Sequence, residues 1–118
     1  MLIKILKSKI HRATVTDALI DYPGSIGIDA ALLEESGIVP YELVLVADVT
    51  NGARLETYVV PEPAKSGKVT ILGAAAKLMK KGDKVIVMSF AYLEPADARH
   101  MRPKVVMVDE LNGIKETL

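Results

Sequence analysis

The chain has no cysteine and no tryptophan, and only one phenylalanine. Without cysteine there are no disulfides, thiolate nucleophiles or thiolate metal ligands. Because histidine occurs only twice, a first-row metal cage is short of its other usual donor and no metal is expected. Aromatic residues make up 4% of the sequence but hydrophobic residues make up 50%, so the core has to come from Val, Ile, Leu, Ala and Met. That mixture is rich in β-branched side chains and suits strands. Neither sign of charge dominates, since Lys plus Arg and Asp plus Glu number 15 each. No overall field therefore favours nucleic acid or an anionic membrane surface. Long apolar runs are missing too. Lys4, Lys7 and Lys9 interrupt the opening segment, which excludes a signal-peptide core, and nothing is long enough for a transmembrane helix. A cytoplasmic protein is expected. At 118 residues the chain has room for one domain.

What is present reads mainly as strands. Residues 2–6 and 10–19 predict one long or two short strands, interrupted by the turn residues at 21–25. Asp29 is placed to cap a short helix over Ala30–Ser36, which Gly37 would end in the left-handed conformation. Residues 42–49 and 54–60 predict a hairpin around Asn51-Gly52, because both residues tolerate positive φ. Strands are expected over 69–72, 84–93 and 103–109, a second short helix over 73–81, and a loosely held tail after Asp109. About six short strands with brief helices between them suggest a closed or nearly closed barrel, because the connections are too short for βαβ units.

Few residues here carry chemistry, and each has an ordinary alternative. At Tyr22-Pro23-Gly24-Ser25 a glycine carbonyl directly precedes a hydroxyl, although such a triplet is usually only a turn. Its reactive reading has Ser25 Oγ attacking the Gly24 carbonyl, with Thr57 as a candidate donor to the developing oxyanion. Arg54 and Tyr58, four apart on a strand, share one face, while Thr57 points to the other and would need a bulge, a twist or a neighbouring subunit to take part. Gly73, Ala74 and Ala75 begin the second helix, where free N–H groups could meet a carboxylate. Lys9 and His11 alternate on the first strand and face one way, toward an acidic substrate or simply toward solvent.

Taken in order, K-x-H-R at 9–12, Y-P-G-S at 22–25, S-G-I at 36–38, V-T-N-G-x-R-x-x-T-Y at 49–58, G-A-A-A at 73–76, G-D at 82–83 and R-P at 102–103 resemble the aspartate 1-decarboxylase family over nearly the whole chain. The resemblance implies a double-psi β-barrel that is mainly β with short helices, assembled as a homotetramer with sites between subunits. It also implies cutting into residues 1–24 and 25–118, with a covalent pyruvoyl cofactor formed from Ser25. L-aspartate would lose its α-carboxylate to give β-alanine for pantothenate and coenzyme A synthesis. By the same resemblance Tyr58 donates the proton, and Lys9, Arg54, Thr57, Gly73, Ala74 and Ala75 surround the substrate. Leu72 departs from the pattern, because that position is usually Asn in the family. Two alternatives stay open. One is a pyruvoyl decarboxylase of another amino acid such as glutamate, and the other is a non-catalytic barrel that binds a partner. Whether cutting needs a maturation partner is also open.

Overall fold

A computed structural model describes all residues from Met1 to Leu118. Nine strands, two short α-helices and one 3-10 turn follow one another along the chain. They are β1 (Ile3–Thr14), β2 (Asp17–Leu19), β3 (Ser25–Asp29), α1 (Ala30–Ser36), β4 (Leu43–Asp48), β5 (Arg54–Glu62), β6 (Val69–Leu72), the 3-10 turn Gly73–Lys77, β7 (Lys84–Leu93), α2 (Pro95–Ala98), β8 (Lys104–Val108) and β9 (Ile114–Thr117). No helix is long and apolar enough to cross a membrane.

The sheet runs β2-β6-β3-β5-β4-β7-β1-β8-β9. Only Val15 and Thr16 separate β1 from β2, and the Thr16 N–H donates to the Val69 carbonyl at 2.7 Å. One nearly continuous strand thus borders both β7 and β6 and draws the sheet into a barrel, which satisfies edges that would otherwise be unpaired. β1 can serve both neighbours because it is irregular. Its register against β7 shifts between Leu6 and Ser8 and again between Ile10 and Ala13, and Arg12 in the second shift has φ of 63°. Such bulges bend a strand and increase its twist. Inside the barrel lies a cluster of 18 buried apolar residues, including Ile10, Ile26, Ile28, Val46, Val59, Ile71 and Met79.

Several local expectations need correcting. The first strand is one long element with a short continuation, and α1 is capped as expected, with the Asp29 carboxylate accepting the Ala31 N–H at 2.8 Å and Gly37 left-handed at φ 73°. The Asn51-Gly52 hairpin forms, but only Gly52 adopts positive φ. The turn is held by the Asp48 carboxylate, which accepts the N–H groups of Thr50 and Asn51 at 2.8 and 3.2 Å. The second helix is a 3-10 turn of five residues. After Asp109 the chain is tied down, because β9 pairs with β8 and buried Asn112 donates to the carbonyls of Thr14 and Gly67 at 2.9 and 2.8 Å.

Candidate active site

β3 and β6 bring the Tyr22–Ser25 turn to the barrel surface. Ser25 opens β3 opposite Leu72 on β6 and is 4% exposed, so its hydroxyl lies at the edge of the core. Gly24, just before it, is exposed to solvent. It opens onto a cleft of about 310 Å³ lined also by Leu55, Thr57, Leu72, Ala74 and Ala75. The cleft wall is braced from outside, since Asn51 Nδ2 donates to the carbonyl of Leu78, another lining residue, at 2.7 Å.

Alternation along β5 divides its side chains between an exposed side and a buried one. Arg54, Glu56 and Tyr58 are exposed, whereas Leu55 and Thr57 are half-buried and Val59 is buried. Thr57 therefore reaches the Gly24 cleft of its own chain without a bulge or a partner, and the facing difficulty belongs to Arg54 and Tyr58 instead. They stand on the outer side of β5, where the Tyr58 ring lies 6.1 Å from that of Tyr41. Lys9 is half-buried on β1 and outside the cleft. It opposes Met88, which opposes Leu45, which in turn opposes Glu56. Lys9 and Arg54 thus belong to one outer sheet surface, formed by β1, β7, β4 and β5.

His11 lies on the same strand as Lys9. Its Nδ1 is buried without a hydrogen-bond partner, and burial, reinforced by the charges of Lys9 and Arg12, holds its pKa below the ordinary imidazole value. The ring is thereby biased toward its neutral form.

Gly73 lies close against the backbone of the Tyr22–Ser25 turn. Its φ is +78°, and a Cβ built on it would lie 2.6 Å from Gly24 Cα, 2.9 Å from Gly24 N and 2.9 Å from the Tyr22 carbonyl oxygen. The 3-10 turn it begins has no side-chain cap, which leaves Ala74 and Ala75 bordering the cleft. Glu56 completes the lining from the exposed side of β5. Alternation with Thr57 could have disclosed Leu55, but nothing in the sequence pattern pointed to Leu78.

A second cavity of about 320 Å³ opens between α1 and the segment joining β8 to β9. It offers no comparable chemistry, because its Asp29 carboxylate is already occupied by the N–H groups of Ala31, Lys65 and Gly67 at 2.8 to 2.9 Å.

Comparison with known proteins places these features in context. The family model described as aspartate decarboxylase matches residues 1–115. Aspartate 1-decarboxylase of Lactiplantibacillus plantarum is 55% identical over 97% of this chain and 88% of its own length. Its counterpart in Carboxydothermus hydrogenoformans is 53% identical over 97% and 90%, and that of Clostridium beijerinckii 49% over 98% and 94%.

Proposed function

The chain belongs to the aspartate decarboxylase family, and from that membership we propose that it converts L-aspartate to β-alanine and CO₂ with a pyruvoyl group made from its own Ser25. The observation that carries this reading is the Gly24–Ser25 peptide opening onto a cleft shared with Thr57, Ala74 and Ala75.

Cutting would begin when Ser25 Oγ bonds to the Gly24 carbonyl carbon and the C–N bond breaks, leaving an ester and a free amine on residue 25. Thr57, which lines the same cleft as Gly24, would donate to the oxygen that becomes negative in this step. Loss of the Ser25 α-proton then expels Gly24 as a carboxylate. Water hydrolyses the remaining enamine to a ketone and releases ammonia. The product group fits because it uses atoms already at the start of β3 and removes an amine and a hydroxyl from a residue that is 4% exposed.

A pyruvoyl group supplies an electrophile for the substrate amine and a sink for the electron pair left when CO₂ departs. The side chains do the remaining work. Arg54 binds the retained carboxylate through a planar, charge-assisted fork, Lys9 adds a second cation, and Tyr58 gives a proton to the α-carbon. Arg54 and Lys9 lie on the outer sheet surface, away from their own chain's cleft, so they would serve the cleft of a neighbour in a homotetramer. The apolar character of that surface supports such contacts. Leu43 is 59% exposed and Tyr92 66%, with half-buried Leu45, Met88 and Phe90 between them.

Intact-mass measurement of the purified protein tests the proposal. We expect two pieces, residues 1–24 and 25–118, the second blocked at its N-terminus, together with CO₂ release from aspartate in preference to glutamate. Ser25→Ala should stay whole, fold normally and release no CO₂. Decarboxylation by that variant would refute the pyruvoyl chemistry.

A further inference from the structure

Glycine at position 24 looks at first like the residue that makes the turn reactive. The geometry says otherwise. The backbone at Gly24 is not left-handed, and a Cβ there would have 3.8 Å of clearance to its nearest neighbour, the Leu72 carbonyl oxygen. That is ordinary van der Waals contact. Nothing in the uncut fold requires glycine at 24.

The strict requirement lies across the turn, at Gly73, and it has two separate causes. The first is its φ of +78°, which an L side chain occupies only at a cost. The second is space, since a Cβ would fall 2.6 to 2.9 Å from Gly24 Cα, Gly24 N and the Tyr22 oxygen. All three atoms are backbone, so no side-chain rotation relieves the overlap, and either the turn or the 3-10 segment has to move. The remaining glycines offer a contrast. Gly82, at φ +93°, is also left-handed but has nothing within 4 Å of its Cβ position.

We propose that Gly73 is the positioning residue for chain cutting: having no Cβ, it lets the end of β6 seat directly against the Tyr22 and Gly24 backbone and so holds the Gly24 carbonyl within reach of Ser25 Oγ. The proposal rests on the self-cutting reading above. It gives Gly73 a task that precedes any contact with substrate, and it locates the control of maturation in a segment distant in sequence from the bond that breaks. Leu72 sets the register for this arrangement, because it pairs with Ser25 and places the next residue under Gly24.

The test measures the rate of conversion from one mass to two in freshly purified protein, alongside thermal melting of the uncut form. Three variants separate the causes. Gly82→Ala carries the left-handed cost alone and should cut at the parental rate. Gly73→Asn accepts the left-handed backbone readily but still brings a Cβ, whereas Gly73→Ala carries both burdens. Relieving contacts at 2.6 Å takes a shift of roughly 1 Å, and misplacement on that scale can cost about 10²-fold in rate, so both Gly73 variants should cut at least about 10²-fold more slowly. Gly73→Asn should do so while its uncut form still melts in one cooperative transition, which makes the loss one of positioning and not of folding. Parental-rate cutting by Gly73→Asn would overturn the proposal alone. A parental chain that never cuts, even with cell extract added, would overturn the self-cutting reading and this proposal with it.

Discussion

Arg54, Thr57 and Tyr58 show how much of a site a strand's period of two can disclose. Alternation assigns the first and last to one face and Thr57 to the other, and the burial pattern along β5 follows that assignment. What alternation could not tell is which face meets the Gly24 turn, because that depends on β3 pairing parallel to the far half of β5. The Gly73 contact was illegible for a similar reason, since it joins segments that meet only through the antiparallel β3–β6 ladder. At this scale Arg54→Lys is the informative substitution. It keeps the charge and loses the planar fork, and a hydrogen bond to a charged group is worth roughly 1.5–3 kcal/mol. We expect kcat/KM for aspartate to fall by about 10- to 100-fold. Mass measurement should show cutting unchanged, since the Gly24–Ser25 peptide has no carboxylate for Arg54 to hold. Parental kcat/KM would transfer the carboxylate-binding role to Lys9.

Elements were legible where apolar, β-branched or aromatic residues run together over several positions. β4 and β7 alternate cleanly and were expected close to their observed bounds. β3 was missed because only Ile26 and Ile28 mark it, between the turn residues at 21–25 and the helix cap Asp29. Its central Gly27 also reads as a loop residue, yet a Cβ there would press on the Thr70 and Glu62 side chains, which would have to give way. The missed tail strand depends on Asn112, whose partners Thr14 and Gly67 are remote in sequence. Between elements, Glu42 is the main polar junction. It accepts from Lys7 of β1 at 2.9 and 3.0 Å, from the Val39 N–H at 3.1 Å, and from the buried Ser89 hydroxyl of β7. Burial alone would raise its pKa, but the hydrogen bonds from Ser89, Lys7 and Val39, with the Lys7 charge, together hold it below the usual glutamate value. A carboxyl whose folded pKa is depressed contributes stability that is present above its unfolded value and is lost as pH falls through the folded one. Glu42→Gln should therefore lower stability by about 1–2 kcal/mol at neutral pH. The gap between the two proteins in urea unfolding should close as the buffer is taken below the ordinary glutamate range. A gap that stays constant into acid would mean that the ionised form contributes nothing.

For the whole molecule, barrel closure separates two surfaces that the proposed reaction would use together. The Gly24 cleft sits where β3, β5 and β6 meet the 3-10 turn, whereas Lys9 and Arg54 stand on the outer surface of β1, β7, β4 and β5. If Lys9 and Arg54 bind substrate as proposed, a complete site would take two copies, and closed homo-oligomers supply such contacts repeatedly by symmetry. Co-expression of two damaged chains tests this directly. Ser25→Ala lacks the reactive group but keeps Arg54, and Arg54→Ala keeps the reactive group but lacks the guanidinium. Each expressed alone should be inactive toward aspartate or nearly so. In mixed assemblies some clefts with an intact Ser25-derived group would face a neighbour with an intact Arg54, and activity should return to a substantial fraction of the parental value. If each chain built its site from its own residues, every cleft in the mixture would carry one defect, and co-expression would yield no more activity than the two variants purified separately and summed.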